Sequence, residues 1–520
     1  MSADGADDHY TRGLSLRRLN QFDQALEAFD AAIARDQAFA EAHNARGIVL
    51  AGLGRAEDAL VSFDHALKLK PDYAECCNNR GIVLQEVGRL DAALASFDEA
   101  LALQPDNARV HNNRGTVLSE LQRWDGAVIA YERAIALEPS YAEAFYNRGL
   151  VLHDLRHLED ALASFDKAIA LRGGYAQAHH NRGAVLQDLL LPEEAVGAYA
   201  AAIRLSPDEA ESPAESFSNQ AYCYLQMGRF EDGWRLHEWR KKLPRPVGHR
   251  SFAQPLWLGR EDISSKTLFV HWEQGYGDTI QFCRYGRVLE TMGARVVMSV
   301  QDPLYRLLSQ LRPPIEIIRE AEVPQHLDYH CPMMSLPLAL RTTLQTIPAA
   351  PHYLASDPEL RQDFESRLPA RTRPRVGIAW SGSASHKNDR NRSIDPAMLA
   401  PLFSVDAQWI SLQYDAGPPP HPKLQSVAAP WRDFADTAAV LDCMDLVVTV
   451  DTSVAHLAGA LGKPAFVLLP FNSDWRWLLQ RDDSPWYPSL RLFRQNYAES
   501  WEGVISRVRA SVWELIQSRS

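Results

Sequence analysis

Small residues in the first part of the chain recur at a fixed interval. Glycines that follow an arginine stand at positions 13, 47, 81, 115, 149 and 183, each 34 residues after the last. One alanine lies 12 residues after each of these glycines, and another lies 19 residues after it. Because small side chains let two antiparallel helices pack closely, this spacing predicts helix pairs stacked in a row. Residues 6–207 would form six such pairs, with a degenerate seventh around 217–242.

This period and pattern are those of the tetratricopeptide repeat, so residues 1–242 are expected to form an α-solenoid with a concave binding surface. Four of the repeats carry an asparagine two residues before the glycine: Asn79, Asn113, Asn147 and Asn181. Asparagine is both donor and acceptor, so a row of them can pair with an extended backbone. The row resembles the asparagine ladder of the O-linked N-acetylglucosamine transferases, which implies binding of an acceptor polypeptide. The alternative is that these asparagines bond neighbouring repeats and contact no partner.

From residue 266 the apolar pattern changes to short runs that alternate with helical segments. Such alternation indicates buried strands in parallel sheets. The predicted strands are Thr267–Trp272, Ala294–Val300, Tyr329–Met333, Arg375–Trp380, Trp409–Gln413, Leu446–Val450 and Ala465–Leu469. They form two sets, so we expect two Rossmann-like lobes, 265–370 and 371–520, after a Trp- and Pro-rich connector at 243–264. The last predicted helix, 501–517, is expected to pack back across the first lobe.

A turn rich in hydroxyl groups follows the predicted strand Leu446–Val450. The strand stops at Asp451, and Thr452 and Ser453 suit the start of a helix. The free N–H groups of such a helix favour an anion by about 0.3–1 kcal/mol, and ligands of open α/β sheets bind at this edge. The turn therefore indicates a phosphate site. The alternative is that Asp451 and Thr452 only cap a buried helix.

The composition of the chain argues against several classes of protein. The formal net charge of −12 argues against general nucleic-acid binding. The six cysteines are too sparse for a disulfide framework and lack metal-site spacing, which favours a reducing compartment. The N-terminal residues are acidic and polar, unlike a signal peptide, and no apolar run approaches the roughly 20 residues that span a bilayer. We expect a soluble, cytoplasmic protein.

Three short motifs stand in order in the second half. The first is Gly275–Thr279, the second joins Val376–Gly382 to Lys387–Ser393, and the third is Asp451–Ala458. Together they resemble the GT-B glycosyltransferases of the heptosyltransferase-like family, over roughly residues 265–500. Ser453 stands where that family has a glycine. The resemblance implies two facing lobes that transfer a sugar from a nucleotide-sugar donor.

Sugar transfer needs a base for the acceptor hydroxyl and positive charge for the leaving phosphate. The resemblance implies Asp278 as the base; a helix cap is the alternative. The residues expected to contact the nucleotide sugar are Gly277, Gln281, Trp380, Lys387, Arg390, Arg392, Gln413, Asp451, Thr452, Ser453 and His456. The alternatives are a solvated loop at Lys387–Arg392 and a packed His456. No Asp-x-Asp metal motif stands out, so we expect no metal and no cofactor beyond the donor.

The function expected from these features is O-glycosylation of Ser or Thr in a polypeptide recruited by the repeats, with inverting, metal-independent chemistry. Repeats fused to such a unit also resemble bacterial protein glycosyltransferases, including those that modify flagellin. That resemblance implies flagellin as the partner and a nonulosonic acid carried on CMP as the donor. One alternative is a scaffold protein with an inactive transferase half. Another is a glycan or lipid acceptor, with the repeats serving only for docking.

Overall fold

A computed structural model of the chain divides into two compact units, residues 1–189 and 190–520. The structure describes residues 4–206, 213–243, 250–311, 315–383, 388–413, 419–427 and 431–518. Lys387, one of the predicted donor contacts, and residues 244–249 of the predicted connector lie outside these ranges.

The first unit is built from helices in antiparallel pairs, as the 34-residue period predicts. Its helices are α1 Asp4–Arg18, α2 Phe22–Arg35, α3 Ala40–Gly52, α4 Ala56–Leu69, α5 Ala74–Glu86, α6 Leu90–Leu103, α7 Ala108–Glu120, α8 Trp124–Leu137, α9 Ala142–Asp154, α10 Leu158–Leu171 and α11 Ala176–Asp188. Each recurring glycine lies on the first helix of a pair. The α-solenoid predicted for this part of the chain is confirmed.

The recurring glycines are needed because a ring from the second helix packs directly against them. A methyl group on Gly47 would lie 2.5 Å from the ring of Phe63, and one on Gly81 would lie 2.7 Å from the ring of Phe97. Carbon atoms do not approach this closely, so any larger residue would push the two helices apart. The small residues in the sequence therefore set the spacing within each pair.

The recurring arginines join one repeat to the next. Arg46 Nε on α3 lies 2.6 Å from Asp30 on α2, and Arg114 Nε on α7 lies 2.7 Å from Asp98 on α6. The same spacing of 16 residues recurs in Arg80–Asp64, Arg148–Glu132 and Arg182–Asp166. Partly exposed pairs of this kind contribute about 0–1 kcal/mol each, so their main effect is to favour one register between repeats.

The second unit begins with helices of repeat character and continues as alternating strands and helices. Its helices are α12 Pro192–Leu205, α13 Ala214–Gln226, α14 Phe230–His237, α15 Tyr276–Phe282, α16 Tyr285–Thr291, α17 Asp302–Leu308, α18 Leu336–Ala339, α19 Pro358–Arg367, α20 Asp389–Arg392, α21 Phe434–Asp442, α22 Ser453–Ala460 and α23 Trp501–Gln517. Its strands are β1 Thr267–His271, β2 Arg295–Val300, β3 Glu316–Arg319, β4 Tyr329–Pro332, β5 Arg375–Ala379, β6 Gln408–Ser411, β7 Leu424–Gln425, β8 Leu446–Val450, β9 Ala465–Leu469 and β10 Leu490–Arg494. Short 3-10 helices occupy Glu238–Lys242, Met333–Ser335, Pro396–Ser404 and Trp475–Trp477.

The strands form two parallel sheets. The first has the order β3-β2-β1-β4 and the second has the order β10-β9-β8-β5-β6-β7. Thr267 pairs with Arg295 across β1 and β2, and Val447 pairs with Ala465 across β8 and β9. Because every paired strand is parallel, the turns after β1 and β8 leave their sheets at the carboxyl edges, where ligands of such folds bind. The predicted α/β half with two lobes is confirmed.

The repeat-like helices α13 and α14 belong to the second unit, whereas the sequence predicts a repeat array that extends to residue 242. Leu225, Phe230 and Trp234 are buried in one apolar cluster with Trp257 and strands of the first lobe. The indole Nε1 of Trp234 also donates to the carbonyl of Thr342 at 3.1 Å. These apolar contacts make the degenerate seventh repeat a part of the first lobe's core.

The C-terminal helix α23 packs on the second sheet, whereas the sequence led us to expect it across the first lobe. Its apolar stripe, which includes Val504, Val508 and Val512, is buried with Val448 of β8 and Val376 of β5. This stripe covers the face of the second sheet that would otherwise be exposed. Within the described residues, no helix combines the length and apolarity needed to cross a lipid bilayer.

Candidate functional site

A glycine-rich turn connects β1 to α15 and carries Asp278. The Oδ2 atom of Asp278 accepts a hydrogen bond from the backbone N–H of Gly275 at 2.8 Å, so the carboxylate also caps the helix. Gln301, which follows β2, holds the same turn: its Nε2 donates to the carbonyl of Gln274 at 3.3 Å, and its Oε1 accepts from Thr279 Oγ1 at 2.8 Å. The turn that carries Asp278 is therefore held from within the first lobe.

The corresponding turn of the second lobe connects β8 to α22. Thr452 is the N-cap of α22, and its Oγ1 accepts from the backbone N–H of Val454 at 3.3 Å. Ser453 begins the helix and is half-buried. The N–H of Ala455 donates to the carbonyl of Thr452 at 3.0 Å, so the helix start offers an anion chiefly the N–H of Ser453 and the positive end of the helix dipole.

His456 lies on the first turns of α22 and is buried. Its Nδ1 lies 2.9 Å from the hydroxyl of Tyr487, and its ring stacks on Trp477 with centroids 5.4 Å apart. Burial, reinforced by the charge of Arg476, lowers the pKa of His456 well below its ordinary value, so the imidazole is neutral at pH 7. The packed His456 that the sequence left as an alternative is what the structure shows.

The two turns meet across the lobes at Gly277 and His456. A methyl group on Gly277 would lie 2.7 Å from Cδ2 and 3.3 Å from Nε2 of His456. Only a residue without a side chain fits here, which explains the second glycine of the turn. The turn that carries Asp278 and the start of α22 therefore face one another, as the order of the motifs predicts.

Arg476 connects Asp278 to the second lobe and was not among the predicted donor contacts. Its Nη2 donates to Asp278 Oδ1, its Nη1 donates to Asp474 Oδ1 at 2.8 Å, and its Nε donates to Gln281 Oε1 at 2.7 Å. The guanidinium is buried and lies over the ring of Trp475. The nearby carboxylates raise the pKa of Arg476 above its ordinary value, against the opposing effect of burial. Gln281 is thus a structural partner of Arg476.

Asp451 ends β8 beside this cluster. Burial, followed by the negative charge of Asp474, raises the pKa of Asp451 to about 6. A carboxyl group with such a pKa exchanges its proton close to neutral pH, which is a common property of residues that act on ligands.

Arg392, on the short helix α20, contacts the same edge of the sheet. Its Nη1 donates to the backbone carbonyl of Asp451 at 2.9 Å, and its Nε donates to Asp389 Oδ1 at 3.2 Å. Arg390 lies on the same helix and is exposed. Arg392 therefore brings a positive charge to the turn that starts α22.

Trp380 and Gln413 stand at the ends of strands at this edge, and both side chains have contacts within the lobe. The ring of Trp380 is buried in the apolar cluster under the second sheet. The Oε1 of Gln413 accepts from the N–H groups of Trp380 and Ser381 at 3.3 and 3.2 Å, and its Nε2 donates to the Ser381 carbonyl at 3.2 Å. Trp380 therefore contributes to the core and Gln413 joins the loops after β5 and β6, and contact of either residue with the nucleotide stays a prediction.

Further buried contacts hold the two lobes together. Arg284, at the start of α16, donates to the carbonyl of Trp486 at 2.7 Å and to the hydroxyl of Tyr353 at 2.9 Å. On another side, Arg306 of α17 donates to Asp433 Oδ1 at 2.7 Å at the start of α21. The described contacts hold the two lobes against each other.

In the first unit, the predicted asparagine row forms hydrogen bonds between repeats. The Nδ2 atoms donate at 3.1 Å to an acceptor 35 residues earlier, in the pairs Asn79–Asn44, Asn113–Asn78, Asn147–Asn112 and Asn181–Tyr146. Asn78 and Asn79 also line a groove of about 980 Å³, together with Glu75, Arg109 and Glu138. The row therefore has a structural role at each step, and part of it also faces a groove that is large enough for a peptide segment.

The arrangement in the second unit can perform acid–base chemistry beside an anion-binding helix start. Asp278 supplies a carboxylate, and α22 with Arg392 supplies N–H groups and charge. Within the described ranges, no three His, Cys, Asp or Glu side chains cluster in a way that could hold a metal ion.

Comparison with known proteins agrees with this division of the chain. Residues 424–482 match glycosyltransferase family 9 (heptosyltransferase), and residues 10–74, 86–122, 117–155 and 142–175 match tetratricopeptide repeats. Protein FlbA of Caulobacter vibrioides is 26% identical over 346 residues, which are 60% of this chain and 57% of that protein. The chain thus spans a little over half the length of this curated relative.

Solved structures of repeat proteins resemble part of the chain. PilF of Pseudomonas aeruginosa is 22% identical with a TM-score of 0.38, covering 42% of this chain and 97% of that chain. YrrB, a TPR protein with an unusual peptide-binding site, is 27% identical with a TM-score of 0.32, covering 36% and 95%. MamA is 24% identical with a TM-score of 0.30, covering 32% and 96%.

Proposed function

We propose that this chain, which combines tetratricopeptide repeats with a glycosyltransferase family 9 domain, transfers a sugar from a nucleotide sugar to Ser or Thr of a polypeptide that the repeats bind. The observation that supports it most is the meeting of two turns at the carboxyl edges of two parallel sheets, where Gly277 contacts His456. This places one carboxylate and one anion-binding helix start together, as a transfer reaction requires.

In the proposed GT-B mechanism, Asp278 takes the proton of the acceptor hydroxyl as that oxygen attacks the anomeric carbon. The bond from the sugar to the phosphate then breaks with inversion, and the nucleotide leaves with the electron pair. The N–H groups at the start of α22 and the Arg392 guanidinium stabilise the leaving phosphate without a metal ion. Lys387 and Arg390, which precede Arg392 by a few residues, would add charge.

The second lobe would also hold the donor sugar. Asp451, with its pKa raised to about 6, would accept hydrogen bonds from sugar hydroxyls when ionised. His456 is neutral and already close to Tyr487 through Nδ1, so it would use Nε2 for the phosphate or the sugar. Thr452 and Ser453 would contribute backbone N–H groups and hydroxyls.

For the acceptor and donor, we propose flagellin and a CMP-linked nonulosonic acid. A repeat array fused to this kind of transferase resembles flagellin-modifying enzymes, and this resemblance supports both choices. In the repeats, the groove beside Asn78 and Asn79 has room for an extended segment. An amide side chain there can pair with any peptide backbone, which suits an acceptor chosen by its backbone as well as by its sequence.

The first experiment asks which nucleotide the purified chain binds. CMP, UDP, GDP and ADP, and the sugar nucleotides of each, are added separately and the melting temperature is recorded. A ligand at 100 times its Kd stabilises the unit that binds it by about 2.7 kcal/mol. No shift with any of them would refute the proposal. With the donor identified, transfer to purified flagellin is measured by the mass added to the acceptor.

A scaffold without transferase activity is the second candidate, and one observation favours it. Both carboxylate oxygens of Asp278 already accept hydrogen bonds, from Gly275 and from Arg476. The Asp278→Asn variant separates the two functions: a transferase loses its transfer activity and keeps donor binding, whereas a scaffold shows no transfer before or after the change. Full transfer by the variant would exclude Asp278 as the base.

A further inference from the structure

The loop after β9 is held by a helix of the repeat type. Tyr222 and Gln226 lie one helical turn apart on α13, the first helix of the degenerate seventh repeat. Tyr222 Oη donates to the carbonyl of Ser473 at 3.1 Å, and Gln226 Nε2 donates to the same carbonyl at 3.2 Å. Gln226 Nε2 also lies 3.3 Å from Asn472 Oδ1. Gln226 has no exposed surface (0%), so these bonds form out of contact with water.

The same loop is held from its other side by the end of β10. Arg494 donates from Nη1 to Ser473 Oγ, and from Nη2 to the carbonyls of Trp477 and Leu478 at 3.2 and 2.9 Å. The segment from Ser473 to Leu478 is therefore fixed between α13 and the second sheet.

This segment carries the groups that position Asp278. Asp474 Oδ1 accepts from the backbone N–H of Arg476 at 3.0 Å and from its Nη1 at 2.8 Å. The same guanidinium donates to Asp278 Oδ1 and to Gln281 of the first lobe. A continuous series of hydrogen bonds and covalent bonds thus runs from Tyr222 and Gln226 to Asp278.

We infer that Tyr222 and Gln226 are positioning residues, which fix Arg476 and, through it, the carboxylate of Asp278. Neither side chain touches Asp278, so their effect would be exerted through the Ser473 carbonyl and Asp474. The sequence separation between α13 and the loop is about 250 residues. A helix of the repeat type would therefore influence the chemistry of the transferase half through this loop. The kinetic part of this inference rests on the proposed function.

The alternative is that the two side chains only attach α13 to the loop. Attachment alone predicts a change in the loop and a loss of stability, with the turn at Asp278 undisturbed. Positioning predicts that a substitution on α13 changes the amide exchange at both ends of the series, in segment 473–478 and in segment 275–282.

The test compares two double variants of the full chain by hydrogen–deuterium exchange. Tyr222→Phe with Gln226→Met removes the bonds to Ser473 at nearly constant volume. The matched control is Tyr224→Phe with Gln220→Met on the same helix: Gln220 is buried and donates to the carbonyl of Val196, and the ring of Tyr224 packs against Arg229. If the first double variant fails to fold, the two single variants replace it.

We expect amide exchange to become about 10-fold faster or more in both segments in the first variant, and to stay unchanged in the control. Faster exchange in segment 473–478 alone, or in neither, would overturn the inference. Amide exchange is measured without a substrate, so it tests the inference even if the chain transfers no sugar.

Kinetics then tests the consequence for the reaction. With the donor identified in the nucleotide panel, we expect kcat of the first variant to fall about 10-fold with KM for the donor changed less than about threefold, because a small displacement of the base affects the chemical step. In an Arg476→Lys background, the change on α13 should cause no further loss. An unchanged kcat, or an equal further loss in that background, would contradict the inference while leaving the proposed function in place.

Discussion

The guanidinium of Arg476 in the second lobe donates a hydrogen bond to the carboxylate of Asp278 in the first lobe. The two residues are 198 positions apart in the chain, and both side chains are largely buried. The pair therefore joins the lobes at the point where the proposed reaction takes place. In this arrangement the position of Asp278, the proposed base, depends on both lobes.

The effects of substitutions at Arg476 and at Asp278 on the stability of the second unit should not be independent of each other. Removing Arg476 leaves the largely buried Asp278 carboxylate without its ion-pair partner and costs about 3–5 kcal/mol, whereas Asp278→Asn leaves Arg476 paired with Asp474 and should cost less. We expect Arg476→Gln and Asp278→Asn each to lower the melting temperature of the second unit. The double variant should lose less than the sum of the two, because it leaves neither charge alone. Additive losses in a double-mutant cycle would show that the pair makes no energetic contribution.

Asp451 should make stability depend on pH. Its pKa of about 6 in the folded protein lies above the ordinary 3.8, so between roughly pH 4 and 6 the folded state binds more protons than the unfolded state. Stability is therefore lost as the pH rises through this window, by about 3 kcal/mol in total. Asp451→Asn lacks this loss, so its melting temperature should rise relative to the wild type between pH 4 and pH 7.5.

The matched control for this pH series is Asp482→Asn, because the Asp482 carboxylate is exposed to solvent. Its difference from the wild type should be the same at both pH values. If Asp451→Asn behaves in the same way as this control, the carboxyl group of Asp451 is not perturbed.

The repeats should be sensitive to a single methyl group at Gly81. Its hydrogen faces the ring of Phe97, and a methyl carbon there would lie 2.7 Å from that ring. We expect Gly81→Ala to destabilise the array by about 1–3 kcal/mol through overpacking. Gly52→Ala is the control, since no atom lies within 4 Å of the added carbon and alanine favours a helix by up to about 1 kcal/mol. Urea unfolding of both variants measures the difference.

The asparagine row should serve two purposes. In Asn113→Ala with Asn147→Ala, two bonds between repeats are lost, each of which contributes about 0.5–1.5 kcal/mol. We expect a lower melting temperature and weaker binding of the acceptor, with donor binding unchanged. Isothermal titration with acceptor and donor separates these effects. Unchanged acceptor affinity in a less stable array would limit the row to a structural role.

Local patterns in the sequence were sufficient for the repeat helices, for seven of the ten described strands and for the two turns of the site, but not for β3, β7 and β10. The glycine at every thirty-fourth position marks a helix contact that lies within one repeat, and the run before Asp451 marks a buried strand. The contacts of Arg476 could not be predicted in this way, because its partners Asp278 and Gln281 are close only after both lobes have folded. The burial of the Trp380 ring could not be predicted either, because the end of a strand does not reveal which face its side chain takes.

Because α13 and α14 belong to the second unit, they determine where a truncated chain can begin without losing part of its core. A truncated chain that begins at residue 243 would lose Phe230 and Trp234 from the apolar cluster that they share with Trp257. A truncation that begins at residue 190 retains both. Exchange of repeat arrays between such proteins, by engineering or by recombination, should therefore succeed only when the junction lies ahead of this last pair of helices.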